Sequence, residues 1–210
     1  MNVHDAIYTR RSIRRYQNKP LPEETIWQLI QAAAQAPSAK NRQPWFFYII
    51  RDQTVKKKLV ESLDQGIDVL YERYCQAAIP RPDILTAKKS VRTIEQAAAV
   101  ILVKYVSRYA TCHDDGVDWP LHALDIEVAD LLSIGAAIQN MLLAAEELHI
   151  GALWVCDIFY AYPALTSFLG ESAPILSAIC LGYPDEAPGP RMRFTTDEIS
   201  TVLCEKGVDQ

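Results

Sequence analysis

The residues best suited to chemistry in this chain form an arginine-rich run near its start, Arg10-Arg11-Ser12-Ile13-Arg14-Arg15-Tyr16. In extended backbone alternate side chains share a face, so Arg10, Ser12 and Arg14 point one way and Arg11, Ile13 and Arg15 the other. Two guanidiniums and a hydroxyl on one side suit a phosphate, or a phosphorylated and polyhydroxylated ligand. The same run also reads as a solvated basic turn. A second stretch, Ala36-Pro37-Ser38-Ala39-Lys40-Asn41-Arg42-Gln43-Pro44-Trp45, stops a helix at one proline and delivers an aromatic strand after another. Its small residues would let a ligand or a second backbone approach closely. On composition alone it reads first as a helix-to-strand connection.

The elements that must position these residues follow from periodicity. Asn2 caps a short helix ending at Thr9, and Arg10 to Tyr16 suits extended chain. After Pro20 and Pro22, the spacing of Ile26, Leu29, Ile30 and Ala33 predicts a helix that ends before Pro37. Trp45 to Ile50 predicts a buried strand, and 53–78 a helix with Lys56, Lys57 and Lys58 on its solvated face. Pro80 and Pro82 interrupt the pattern, and 83–97 reads either way. Ala98 to Val106 predicts a second buried strand, and His113 to Asp118 a polar loop. A long helix runs from about Leu121 to Leu148, apolar almost all round in its second half and therefore expected to be buried. Gly151 to Cys156 and Ile175 to Leu181 predict further strands, with a helix over Tyr160 to Leu169 between them. Ile199 to Cys204 is a possible edge strand. Strands separated by helices, without internal repeats, give an α/β or α+β layered sheet.

Composition narrows the function classes. Residues 1–60 carry 11 Lys and Arg against 4 Asp and Glu, while the remainder carries 10 against 22. A basic segment in an acidic protein suggests an anionic ligand bound locally; a nucleic-acid surface would need a net positive footprint. Five cysteines, Cys75, Cys112, Cys156, Cys180 and Cys204, form no CxxC pair and read as reduced thiols. Neither they nor the four scattered histidines suggest a metal site. The longest apolar stretch, Leu131 to Ala145, is interrupted by Gln139 and Asn140, and no signal-peptide pattern opens the chain. A soluble, cytoplasmic protein without membrane or nucleic-acid partners is expected.

At their spacing, the two N-terminal stretches resemble the signature of the FMN-dependent nitroreductase family. Three further blocks extend the resemblance: Ile134 to Ala145 in the long helix, Leu148 to Cys156 along a strand, and a tail of Leu181-Gly182-Tyr183-Pro184 followed by Pro190-Arg191-Met192-Arg193. The stretch from about 60 to 125 carries no recognisable motif. The resemblance implies an α+β, nitroreductase-like fold over residues 1–210 as one domain. It further implies a mixed central sheet flanked by helices, a long buried dimer helix, and a C-terminal arm exchanged between subunits.

The same resemblance implies the site. Arg10, Arg11, Ser12 and Arg14 would contact FMN, with Arg14 near the pyrimidine end of its ring. Pro37, Ser38 and Ala39, with Asn41 close by, would come from the other subunit of a homodimer. Trp154, Val155 and Cys156 would run beside the ring, and Arg191 and Arg193 would bind the phosphate. Some members place an acidic residue and a glycine where this chain has Cys156 and Asp157, which bears on flavin tuning. No side chain is expected to act as catalytic acid or base, because the cofactor carries the chemistry. The expected activity is hydride transfer from NAD(P)H, by a ping-pong mechanism, to a small oxidised acceptor of nitroaromatic or quinone type. The alternatives are a specialised relative (a dehydrogenase, dehalogenase or flavin-destroying enzyme) and a non-catalytic flavin-binding module.

Overall fold

A computed structural model describes residues 1–77, 84–107, 120–170 and 174–203, with the side chains of 120–126 excepted. In chain order the elements are α1 (Val3–Thr9), α2 (Glu23–Ala34), β1 (Trp45–Ile50), α3 (Gln53–Ala77), α4 (Ile84–Gln96), β2 (Ala99–Tyr105), α5 (Pro120–Glu147), β3 (Gly151–Val155), α6 (Tyr162–Leu169), β4 (Ile175–Gly182) and α7 (Thr196–Ile199). Short 3₁₀ turns cover Ala39–Asn41 and Asp157–Ala161.

The strands form one sheet in the order β1-β2-β4-β3, and every pairing between them is antiparallel. Among the described residues, the parallel component expected of a mixed sheet is reduced to one bridge, between Ser12 and Ala152 on the open edge of β3. Alternation along the strands splits the core in two. Ala99, Ile101, Val103, Ile179 and Leu181 face α2 and α5, whereas Val100, Leu102, Ala178 and Cys180 face α3, α4 and α6. The result is a helix–sheet–helix sandwich in which Leu29 and Leu63 are fully enclosed. Each such burial contributes about 1.5–3 kcal/mol.

Local signals account for most element ends. The Asn2 side chain accepts the Asp5 amide at 2.9 Å and starts α1, and Pro22 precedes α2, where its missing N–H costs nothing. Four expectations are corrected. First, Lys56 is buried, because its register on α3 turns it towards the sheet, where its Nζ donates to the Ala97 carbonyl at 2.6 Å. Burial lowers its pKa, and only Lys57 and Lys58 stay in solvent. Second, β1 is an edge strand whose ends alone are buried, with Phe46 exposed. Third, 199–203 is not a strand: Thr195 and Glu198 form a capping box that turns Thr196–Ile199 into helix, and no strand follows among the described residues. Fourth, the helix expected from Tyr160 begins at Tyr162, after a 3₁₀ turn. The ambiguous 83–97 is helical from Ile84. The expectations on Pro80, Pro82, His113 to Asp118 and Cys204 lie outside the described residues.

Helix α5 packs on one face of the sheet beside α2 and is not covered on all sides. Asp130, Ile134, Ala137, Ile138, Met141 and Ala145 point inward, while Val128, Leu131 and Leu132 stand in solvent, Leu132 at 71 %. By length and composition its Glu127–Glu147 portion could cross a membrane; its packing against α2 and the sheet gives a sufficient reason for that composition.

Candidate functional site

The arginine run lies against the open edge of β3, where the Ile13 amide donates to the Ala152 carbonyl at 3.0 Å. Tyr16 clamps the end of the run. Its ring covers Gly182, and its buried hydroxyl donates to the Ile13 carbonyl at 2.8 Å. Desolvation of that hydroxyl raises its pKa far enough to keep it neutral.

The tail is drawn to the same place by Glu186. Its carboxylate accepts the backbone amides of Arg14 and Arg15, at 2.5 and 3.2 Å, and pairs with the Arg15 guanidinium at 3.3 Å. The Asp185 amide returns a bond to the Arg15 carbonyl at 3.0 Å. Sequence reasoning missed Glu186. The signal available was an acidic pair, Asp185-Glu186, standing between two basic clusters.

With the segments so joined, Arg10, Arg11, Ser12, Arg14, Arg191 and Arg193, together with Pro188 and Gly189, line one cleft of about 170 Å³. Strict alternation had placed Arg11 on the opposite face. The run is bridged to its neighbours at isolated points and is not a continuous strand, and Arg11 turns back to donate to the Tyr8 and Arg10 carbonyls. None of the five arginines forms an ion pair among the described residues. Five mutually repelling guanidiniums held together without a carboxylate between them are a donor set for a multiply charged anion.

Trp154, Val155 and Cys156 follow Ala152 along the same strand edge. Val155 is buried in the core, while Trp154 and Cys156 are exposed, and the Trp154 indole reaches α5 near Gly135. Burial, and then Asp157, push the Cys156 thiol up from its ordinary value, which opposes thiolate chemistry there. Burial pushes Cys180 up to about 12. No cluster of metal-ligating side chains occurs among the described residues.

The loop carrying Pro37, Ser38, Ala39 and Asn41 does not join this cleft. It precedes β1, at the opposite edge of the sheet from β3, three strand spacings or about 14 Å away. It is tightly built. The Ser38 hydroxyl accepts the Gln43 amide at 3.0 Å, and Lys40, Asn41 and Gln43 all adopt positive φ. Each such residue costs about 1–2 kcal/mol in a left-handed conformation, strain of the kind stored at functional sites. Arg42 anchors the loop by donating to Asp130 of α5 from Nε and Nη2, at 2.9 and 2.8 Å. That pair was also not foreseen, since its partners stand 88 residues apart.

The Nitroreductase family model matches residues 7–183. A protein of Archaeoglobus fulgidus, provisionally named an NADH dehydrogenase/NAD(P)H nitroreductase, is 32 % identical over 188 residues, covering 86 % of this chain and 84 % of its own length. A BluB-like flavoprotein from Clostridium difficile 630 matches with TM-score 0.79 at 25 % identity, over 97 % of this chain and all of its own. A provisionally named nitroreductase from Desulfovibrio desulfuricans, solved in complex with FMN, matches with TM-score 0.65 at 27 % identity, covering 97 % and 98 %. The chain belongs to the nitroreductase family, and its helix–sheet–helix arrangement is the fold of that family.

Proposed function

We propose that this protein is a soluble, cytoplasmic FMN-dependent oxidoreductase that draws electrons from NAD(P)H and reduces a small nitroaromatic- or quinone-type acceptor. The observation carrying this reading is the cleft of five arginines and Ser12 on the edge of β3. The residues present fit FMN. Arg191 and Arg193 supply charge-assisted hydrogen bonds for a phosphate, and Ser12 a hydroxyl for its polyol. Arg14 supplies a fixed positive charge where a ring gaining electrons would be stabilised. When bound, FMN would supply two-electron redox chemistry between the nicotinamide and the acceptor.

The cleft is smaller than the roughly 300 Å³ at which small-molecule pockets begin. It therefore suits the phosphate end, leaving the ring to the open surface by Trp154 and Cys156. That surface needs a cover, and the loop of Pro37, Ser38, Ala39 and Asn41 stands too far off in its own chain to provide it. A homodimer in which each chain lends this loop to its partner's flavin supplies the missing wall. Water exclusion and orientation are the chain's contributions; no side chain is assigned as acid or base.

Purified protein should be yellow, or become so with FMN, and should bleach anaerobically with NADH or NADPH. Double-reciprocal plots against the acceptor should be parallel, because donor and acceptor use one site in turn. Colourless protein indifferent to FMN would leave only a non-catalytic module, and intersecting lines would remove the one-site mechanism.

A further inference from the structure

We infer that the buried Arg42–Asp130 pair, supported by Tyr105, is a positioning device that sets the aim of the Pro37–Asn41 loop towards a flavin held by a second copy of the chain. The inference rests on the shared-site reading above. Asp130 is wholly enclosed, and the Arg42 side chain is only 10 % exposed. The two Arg42 bonds converge on Asp130 Oδ1, and the Tyr105 hydroxyl donates to Oδ2 at 3.3 Å. Several bonds close the loop on itself: the Asn41 amide to the Ser38 carbonyl, the Arg42 amide to the Ala39 carbonyl, and the Gln43 amide to the Ser38 hydroxyl. Arg42 reaches out of the loop to α5, turning inward while Lys40 and Asn41 on its N-terminal side turn outward.

Two donors of one planar guanidinium on a single carboxylate oxygen fix direction as well as distance. A buried ion pair adds little stability over apolar residues of similar volume, so the merit of this one is geometric. Its position reinforces the point. Asp130 faces inward on α5 immediately before Leu131 and Leu132, which face outward. Loop and exposed helix face are thereby joined into one rigid body, and whatever docks on α5 meets the loop at a fixed place.

The test is the double variant Arg42→Met/Asp130→Leu in the full chain. Removing both charges should leave the melting temperature and sedimentation close to those of the parent. The FMN dissociation constant should nevertheless rise about tenfold or more, with an altered visible circular dichroism band of the bound flavin. Arg42→Lys, which keeps the charge and loses the fork, should fold and show the same change to a smaller degree. A folded double variant, or a folded Arg42→Lys, with parental FMN affinity and parental dichroism overturns the inference and leaves the pair a packing feature. If the parent itself fails to bind FMN, the shared-site reading falls and takes this inference with it.

Discussion

Arginines repel one another, so five around one small cleft must be held there by the backbone that carries them. Here Glu186 does the holding, through the Arg14 and Arg15 amides, without spending its charge on Arg10, Arg11, Arg191 or Arg193. Those guanidiniums remain available to an anion. Arg193→Ala should therefore weaken FMN binding by about 1.5–3 kcal/mol, the range for a hydrogen bond to a charged group. The wild-type affinity should also fall with added salt, since the cleft opens to solvent. Fluorescence titration measures both; an unchanged dissociation constant in the variant would remove Arg193 from the site. The alternation of Arg10, Ser12 and Arg14 was legible in the sequence. The inclusion of Arg11 was not, because that depends on a turn back to Tyr8 that local pattern does not encode.

At the scale of elements, the arginine run is positioned by the close approach of three backbones: Ile13 on Gly151, Tyr16 on Gly182, and Gly151 opposite Gly182 in the sheet. A Cβ at Gly182 would stand 2.8 Å from Tyr16 Cδ1, so the ring and the segment it clamps would have to move. Gly182→Ala should cost about 1–3 kcal/mol, as overpacking does. It should weaken FMN binding as well, since Arg14 lies two residues from Tyr16. Urea denaturation and flavin titration report the two effects separately. Parental values in both would show that Tyr16 does not locate the run. The strand and helix periods were readable here, but the role of Gly182 was not, because nothing in Leu-Gly-Tyr-Pro says which aromatic ring will lie on the glycine.

At the scale of the whole molecule, α5 and the tail each carry a group of exposed apolar side chains. Leu132 stands beside Val128 and Leu131, and Met192, Phe194, Val202 and Leu203 are each more than three-quarters exposed. Apolar surface on this scale marks an interaction site, and a homodimer that also shares the flavin sites is the arrangement proposed here, with 1–210 acting as one domain in each subunit. Sedimentation at low micromolar concentration should give a dimer. Leu132→Glu, which puts a charge on that face, should shift it towards monomer and release FMN in parallel. A stable monomer that retains its FMN would refute the shared site, and the roles given to Pro37, Ser38, Ala39 and Asn41 would fall with it.

What the sequence determined by itself is what depends on neighbours along the chain. The cap at Asn2, the stop before Pro37, the 3.6-residue spacing of α2 and α5 and the apolar runs of β2 and β4 all depend on residues a few positions apart. The ordered family blocks were legible for the same reason. Tertiary structure alone decided matters of long range. It brought Glu186 to Arg14 across 172 positions, drove Lys56 into the core beside Ala97, and paired Arg42 with Asp130. It also set the Pro37–Asn41 loop and the arginine cleft on opposite edges of one sheet. A charge read in sequence carries no address. Whether it faces water, an ion pair or a ligand is fixed by which distant element the packing of the core places against it.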